Sequence, residues 1–196
     1  MEKHLLVIPC CARKNSGGER KSSTLTYFEN NEYVPELIAA RNINMRNHPV
    51  IDNGRYMPAW DRYDGGLYRD LKEYQNLIDN LIQRDCLDIV IVSALYGVIN
   101  FNTEINNYDL MMSHKGLNGL WGDIILRSIQ NYRLETGVTH TYVALSNTYL
   151  NVANRKDGLG QITDLWAYGF RGVPLINQKV AENIINKLKE ISENCK

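Results

Sequence analysis

The stretch from Asp88 to Val98, which reads Asp-Ile-Val-Ile-Val-Ser-Ala-Leu-Tyr-Gly-Val, decides the fold. Its first part, Ile89 to Val92, is a run of β-branched residues without polar alternation, which is typical of a strand buried on both faces. We therefore expect this strand at the centre of a parallel sheet. Ser93, Tyr96 and Gly97 follow directly. Ligands of open α/β sheets bind at the carboxyl ends of the strands, so these three residues are candidates for a pocket.

Strand and helix patterns alternate along the rest of the chain. The predicted strands are His4 to Pro9, Ile89 to Val92 and Thr141 to Leu145. The predicted main helices are Leu67 to Gln83, Leu120 to Leu134 and residues 177–193. This alternation predicts an α/β fold, a three-layer domain with a central, mostly parallel sheet.

Two further segments are predicted with less regular patterns. Glu36 to Asn42 is predicted to form a short helix with Pro35 in its first turn, and Ile162 to Trp166 is predicted to begin another helix. The region from Asn42 to Pro58 is rich in Asn, Pro and Gly, which favours irregular structure. The chain is therefore expected to be a single domain, 1–196, with an irregular insertion at about 22–60.

The other two predicted strands also end in polar residues. Cys10 follows the first strand, and Ser146 and Asn147 follow the last. Because the carboxyl ends of parallel strands meet at one edge of a sheet, we expect these residues to join Ser93 in one cleft.

Carboxylates and tyrosines near these strand ends suggest a reaction. The carboxylates are Asp109, Glu104 and Asp64, and the tyrosines that complete the inventory are Tyr63, Tyr68 and Tyr108. A carboxylate beside a sugar stabilises the oxocarbenium-like transition state of N-glycosidic cleavage. Tyrosines can stack on an extruded base, and an amide such as Asn147 can read its edge. Asp109 is the first candidate for the catalytic carboxylate; the alternative is a structural carboxylate that accepts backbone N–H groups. Asp64 has a similar alternative, in which it favours the turn or caps the helix. For each tyrosine, the alternative is that the ring only packs in the hydrophobic core.

A basic loop with two glycines follows the first strand. Its cations are Arg13, Lys14, Arg20 and Lys21. Such a loop fits a cradle for DNA phosphates, although composition alone describes a solvated basic loop equally well.

Composition excludes several classes of protein. Lys plus Arg and Asp plus Glu number 22 each, so any contact with DNA must come from a local basic patch. No zinc motif, Rossmann fingerprint or Walker motif occurs, so neither a metal nor a cofactor is expected. The four cysteines are expected to be buried, reduced thiols. The first apolar run stops at Pro9 and no run approaches the ~20 residues of a membrane span, so we expect a cytoplasmic protein, without membrane contact or an obligate protein partner.

Three segments carry a resemblance to a known family. Ile8-Pro-Cys-Cys-Ala-Arg-Lys14, Asp64-Gly-Gly-Leu-Tyr-Arg69 and Ser93-Ala-Leu-Tyr-Gly-Val98 with Asn107-Tyr-Asp-Leu-Met111 resemble, in order, motifs of the peroxide-stress protein family and its small bacterial and phage relatives. Together they cover about a third of the chain. Asn107 stands where the family usually has proline, and Cys11 where serine is common.

The resemblance implies DNA as the partner. Relatives are linked to DNA binding under oxidative stress, and they are similar to glycosylase-like folds and to the base-exchange domain of archaeosine synthase. It also implies an antiphage DNA glycosylase that removes α-glucosylated hydroxymethylcytosine from double-stranded phage DNA. Our leading hypothesis is thus a metal-independent, monofunctional DNA glycosylase that leaves abasic sites. The alternatives are a non-catalytic DNA-binding stress-protection protein, and a hydrolase or base-transferase acting on nucleosides or nucleotides.

Overall fold

Two buried parallel strands, β1 (His4–Pro9) and β4 (Leu87–Ser93), pair side by side through six residues, from His4 opposite Leu87 to Pro9 opposite Val92. They belong to a computed structural model that describes residues 2–20, 35–52, 54–153, 158–166 and 177–195. The remaining strands are β2 (Glu19–Arg20), β3 (Arg55–Pro58), β5 (Gly97–Asn100), β6 (Glu104–Ile105), β7 (His140–Val143) and β8 (Leu165–Trp166).

The main sheet has five strands in the order β5-β4-β1-β7-β8. β1 pairs in parallel with both β4 and β7, and β7 pairs in parallel with β8. β5 returns antiparallel to β4, so the sheet is mixed and mostly parallel. The predicted α/β class is confirmed. The centre of the sheet, however, is β1, because β4 has the unpredicted hairpin strand β5 on its outer side.

A second, small sheet has the order β2-β3-β6. Its strands are antiparallel, with Glu19 opposite Tyr56 and Met57 opposite Ile105. Two of these strands lie within or just before the region expected to be irregular.

Seven α-helices occur in the described residues. They are α1 (Pro35–Asn47), α2 (Ala59–Arg62), α3 (Gly66–Lys72), α4 (Gln75–Gln83), α5 (Leu117–Thr136), α6 (Asn147–Ala153) and α7 (Asn177–Asn194). Six of them pack in two groups: α7 contacts α3 and α4, whereas α5 contacts α1 and α6. The short helix α2 contacts β3 and β6 of the small sheet. Helix α5 bends at Gly122, whose φ of 34° and ψ of −125° are not helical, and it ends at Gly137 in the left-handed conformation, a common helix terminator.

An irregular insertion was expected at about 22–60; residues 22–34 lie outside the described residues, and from residue 35 onward the structure shows regular elements. Helix α1 begins at Pro35, as predicted, but continues to Asn47, and β3 occupies Arg55–Pro58. Helix α1 buries Leu37, Arg41 and Asn44, so polar side chains lie on its inner face. Because these buried positions are polar, the apolar periodicity of the sequence predicts an end of the helix that is too early.

Two other predicted helices differ. The helix expected from Leu67 to Gln83 is divided into α3 and α4 by a turn at Glu73 and Tyr74. The helix expected to begin at Ile162 is instead a short 3-10 helix at Gly160–Ile162 followed by β8. Strand β8 forms because it pairs with β7 through backbone hydrogen bonds. These two segments are distant in the chain, so the local sequence pattern does not predict the pairing.

The cysteines also depart from expectation. Cys86 and Cys195 are disulfide-bonded, with Cα atoms 6.3 Å apart, whereas Cys10 and Cys11 are free thiols. The bond joins the residue before β4 to the residue after α7. Across the described part of the chain, no helix combines the length and hydropathy of a membrane span.

Candidate functional site

The carboxyl ends of β1 and β4 and the start of α6 meet at Cys10. The Cys10 backbone N–H donates to the Val92 carbonyl at 2.9 Å. Its sulfur lies 3.4 Å from the Ala94 nitrogen, which donates to it, and 3.0 Å from the hydroxyl of Tyr149. The Tyr149 hydroxyl also donates to the Cys10 carbonyl at 2.9 Å. Residues from three distant parts of the chain are therefore held together at this carboxyl edge.

Beneath this edge, the hydroxyls of Tyr63, Ser93 and Tyr108 form a buried cluster. The Tyr63 and Tyr108 oxygens are 2.7 Å apart, and the Ser93 oxygen lies 2.9 Å from Tyr108 and 3.3 Å from Tyr63. Burial raises the pKa of both tyrosines well above the ordinary value, so the hydroxyls remain protonated. This hydroxyl cluster joins the loop before α3, the end of β4 and the segment after β6.

The tyrosines predicted to line the pocket are buried and do not present an open ring face on which a base could stack. Tyr63, Tyr68, Tyr96 and Tyr108 are each at most 2% exposed. The Tyr68 hydroxyl donates to the Pro9 carbonyl at 2.9 Å, and the Tyr96 hydroxyl accepts from the Asn106 N–H at 3.3 Å. The expectation that these rings stack on an extruded base therefore does not hold for this conformation, because neighbouring side chains cover their faces.

Lys14 covers the hydroxyl cluster. Its Nζ atom lies 4.0 Å from the ring centroid of Tyr108 and 5.8 Å from that of Tyr63, distances typical of cation–π contacts. Burial lowers the pKa of Lys14, while Cys10, Cys11 and Asp109 oppose that shift. Asp109 follows Tyr108 directly and is exposed. The half-buried amine of Lys14 thus packs on the ring of Tyr108, and the exposed carboxylate of Asp109 is near enough for its charge to act on that amine.

Arg13 and Asp64 form an ion pair at the rim of this edge. The Arg13 Nε and Asp64 Oδ2 atoms are 2.7 Å apart, and the Asp64 N–H donates to the Arg13 carbonyl at 3.1 Å. The Arg13 side chain is 67% exposed and that of Asp64 only 19%. Asp64 therefore orients Arg13, whose guanidinium still faces solvent.

Ser146 and Asn147 reach the edge through helix α6. The Ser146 carbonyl accepts the N–H groups of Tyr149 and Leu150 at 2.9 Å each, which starts the helix. Asn147 is exposed in the same turn as Tyr149. The contact of Tyr149 with Cys10 therefore positions Asn147 on the side of the sheet where Cys10 lies.

The remaining predicted residues are not all at this edge. Glu104 lies on β6 and Arg20 on β2, both in the small sheet. Gly97 has a φ of +72°, and a Cβ atom there would lie 2.7 Å from Leu37 and 2.9 Å from Trp121, so this glycine permits packing and does not line a pocket. Lys21 lies outside the described residues.

Two buried arginines were missed by the sequence analysis. Arg62 is fully buried and donates to the carbonyls of Asn15 at 2.6 Å and Gly17 at 3.1 Å. Arg41 on α1 donates to the carbonyls of Tyr96 at 2.9 Å and Val98 at 3.1 Å. Arg62 thus holds the basic loop, and Arg41 holds the β4–β5 hairpin. Neither has a local sequence signal, since an arginine in a polar stretch is normally on the surface.

A separate cleft of about 640 Å³ lies at the opposite end of the sheet. It is lined by residues at the amino ends of β1 and β7, including His4, His140 and Tyr142, and by one side of α7. It shares no residue with the predicted site. Ligands of open α/β sheets bind at carboxyl ends, so we place the candidate site around Cys10, Lys14 and Asp109. Among the described residues, no His, Cys, Asp and Glu side chains cluster as metal ligands would.

Comparison with known proteins gives a family. No curated protein matches the chain. The sequence model of the family described as "Peroxide stress protein YaaA" matches residues 20–163, which is well over half of the chain. The match spans the β4–β5 hairpin, the Asn107–Met111 segment and α6. The chain therefore belongs to the peroxide stress protein YaaA family.

Proposed function

We propose that the protein is a metal-independent DNA glycosylase that hydrolyses the N-glycosidic bond of a modified base and leaves an abasic site. The proposed substrate is double-stranded phage DNA, with α-glucosylated hydroxymethylcytosine as the first base to test. This choice of base comes from the family resemblance. The proposed setting is antiphage defence in the cytoplasm.

The observation that supports this proposal most is the position of Asp109. Asp109 is exposed, its charge acts on the amine of Lys14, and it directly follows Tyr108 of the hydroxyl cluster. A carboxylate at the open side of a largely buried polar site can stabilise the positive charge that develops on the sugar, or position water against it. Its neighbour Tyr108 is anchored on both sides, which fixes the backbone that carries the acid.

Other exposed groups suit a flipped nucleotide. Arg13, 67% exposed and oriented by Asp64, is the candidate for a flanking phosphate, since guanidinium groups bind phosphate oxygens in two-pronged geometry. Asn147, exposed in the first turn of α6, is the candidate for the edge of the base. Extruding the base costs a few kcal/mol, which such contacts must offset.

The fold is part of the proposal. Connections between parallel strands of one sheet are nearly always right-handed. The connection from β1 to β4 and the connection from β4, by way of β5, to β7 run in opposite directions along the sheet, so this rule expects their helices on opposite faces. Helices α3 and α4 of the first connection and helices α5 and α6 of the later part of the chain fall into different packed groups, as this rule expects. Helix α1 is the exception, because it belongs to the first connection but packs against α5. We therefore propose a three-layer, glycosylase-like arrangement.

The test compares Asp109→Asn with the wild type on phage DNA that carries the modified base. Free base is measured by mass spectrometry and abasic sites by strand breakage in hot alkali. We expect base release to fall on the order of 10²-fold, because one electrostatic stabiliser of the transition state is lost, with an unchanged melting temperature. Glu135→Gln is the control: it is an exposed carboxylate at the end of α5, just before the amino end of β7. Wild-type base release by Asp109→Asn excludes Asp109 from the role.

The family description favours a second candidate, a non-catalytic protein that protects DNA under peroxide stress. It would use the same exposed Arg13 at the carboxyl edge. This candidate predicts that the wild type binds the DNA without any base release, in the same assay and at the same protein concentrations. Free nucleosides as additional substrates show whether a polymer is required at all.

A further inference from the structure

The amine of Lys14 is in an unusual environment for a surface loop. Its Nζ atom packs over the Tyr108 ring at 4.0 Å, and its hydrogen bond to the Ala12 carbonyl is long, at 3.4 Å. None of the described carboxylates forms an ion pair with it. Asp109 is near enough for its charge to act on the amine. The amine is therefore desolvated, yet it is not neutralised by a direct partner.

Lys3 provides the contrast within the same protein. Its Nζ atom is 2.5 Å from Asp85 and 3.2 Å from Asp88, at the opposite end of the sheet. Burial opposes the charge of Lys3, but these two carboxylates raise its pKa, whereas burial lowers the pKa of Lys14. At any given pH, Lys14 thus has a larger unprotonated fraction than Lys3. Only the unprotonated amine has a lone pair available for attack on carbon, and desolvated lysines are the ones that form Schiff bases in enzymes.

The proposed removal of a base from DNA would generate a reactive carbonyl at the edge of the sheet where this amine lies. The hydrolysed deoxyribose opens to an aldehyde at C1′. We infer that Lys14 forms an imine with this ring-opened sugar, so that the same site carries a second, covalent step on the DNA backbone. The inference rests on the proposed function for its substrate, and it adds lyase chemistry to a reaction that the sequence alone predicts to be hydrolytic only.

The step balances without any oxidant or reductant. The nitrogen lone pair of Lys14 bonds to C1′, the carbonyl oxygen takes a proton, and water leaves to give the protonated imine. A base then removes a proton from C2′, and the electron pair moves to expel the 3′-phosphate, which cuts the strand. We assign this base to Asp109, the carboxylate whose charge acts on Lys14. Water finally hydrolyses the imine and restores the amine.

The test bypasses the glycosylase step. The full-length protein is mixed with a duplex oligonucleotide that already carries one abasic deoxyribose, in the presence of sodium cyanoborohydride, which reduces an imine to a stable amine. Covalent protein–DNA adduct is measured on a denaturing gel, and peptide mapping by mass spectrometry identifies the attached residue. We expect a wild-type adduct on Lys14, and an adduct yield for Lys14→Met and Lys14→Arg no higher than that of a sample without reductant.

Four controls accompany this measurement. Lys3→Arg should keep the wild-type yield, because that ammonium is held by two carboxylates. Thermal melting tests whether the Lys14 variants are folded, and Lys14→Arg keeps a positive charge over the ring of Tyr108. The wild-type yield should rise with pH and level off below 10.5, the ordinary pKa of lysine, because the attacking form is the neutral amine.

The outcomes separate this inference from the proposed function. Base release from modified DNA without any trapped adduct on the abasic duplex overturns the role of Lys14 and leaves the glycosylase intact. A Lys14 adduct without base release supports the imine-forming role of Lys14 and contradicts the proposed glycosylase activity. An adduct mapped to the amino terminus or to another lysine, or wild-type yield in folded Lys14→Met, also overturns the inference.

Discussion

At the scale of single residues, the hydroxyl cluster shows how the site is fixed before any ligand arrives. Tyr63, Ser93 and Tyr108 are buried and contact one another at 2.7 to 3.3 Å. A buried hydroxyl without a partner costs free energy, so each of the three depends on the other two. The cluster therefore couples the backbone before Asp109 to the end of β4.

Tyr108→Phe should reveal this dependence. The substitution keeps the ring beneath Lys14 but removes the hydroxyl that lies within 2.9 Å of both Tyr63 and Ser93. We expect the free energy of unfolding to fall by about 1–3 kcal/mol, the cost of leaving buried polar groups unsatisfied. Urea titration measures it. Tyr74→Phe is the matched control, since the Tyr74 ring is only half-buried, and an equal effect in both variants would contradict the role of the cluster.

At the scale of elements, the turn of the β4–β5 hairpin is clamped from outside the sheet. Asn44 on α1 donates to the carbonyls of Ala94 at 2.9 Å and Leu95 at 2.8 Å, and the Trp121 indole on α5 donates to Ala94 at 3.0 Å. Three side-chain hydrogen bonds to two turn carbonyls leave little freedom for the hairpin. Helices α1 and α5 thus position the end of β4, where Ser93 lies.

Gly97→Ala should disturb this clamp. A new Cβ atom would come within 3 Å of Leu37 and Trp121, the residues that pack α1 and α5 against the hairpin. Overpacking costs about 1–3 kcal/mol, in addition to about 1–2 kcal/mol for the left-handed backbone of an alanine.

Gly116→Ala is the control for backbone strain. Its φ of +96° is also left-handed, but no atom lies within 4 Å of the added Cβ. Denaturant titration of the two variants should therefore show a larger loss of stability for Gly97→Ala. Equal losses would mean that crowding at the hairpin is unimportant.

At the scale of the whole molecule, one covalent bond spans most of the chain. The Cys86–Cys195 disulfide links residues 109 positions apart and ties the end of α7 to the start of β4. Closing a long loop restricts the unfolded chain, and native disulfides typically contribute about 2–4 kcal/mol.

Reduction should therefore lower the thermal stability of the wild type. We expect dithiothreitol to lower its melting temperature by the amount that corresponds to about 2–4 kcal/mol. Cys195→Ser should melt near the reduced wild type, and dithiothreitol should not change its melting temperature further. Differential scanning calorimetry with and without the reductant measures both. A wild-type melting temperature that does not respond to reductant would contradict a stabilising disulfide in the folded protein.

The sequence by itself determined the class of fold and the location of the polar strand ends. Apolar runs at His4–Pro9 and Ile89–Val92 predict buried strands because burial on both faces requires such residues. The polar residues that follow each run can be located from the sequence without knowledge of the tertiary structure. The same local reasoning missed β5, β8 and the inner face of α1, which depend on pairing and hydrogen bonds between distant segments.

Only the tertiary structure decided what the individual side chains do. Arg13 and Lys14 are adjacent and similar in sequence, yet Arg13 extends into solvent beside Asp64, whereas Lys14 folds over Tyr108 and loses water. The pKa of an amine depends on the solvent and charges that surround it, and residues up to ninety-five positions away in the chain provide those surroundings. For the same reason, the tyrosines predicted to line an open pocket are buried. The sequence shows that an aromatic ring is present, but tertiary packing determines whether a face of that ring is exposed to solvent.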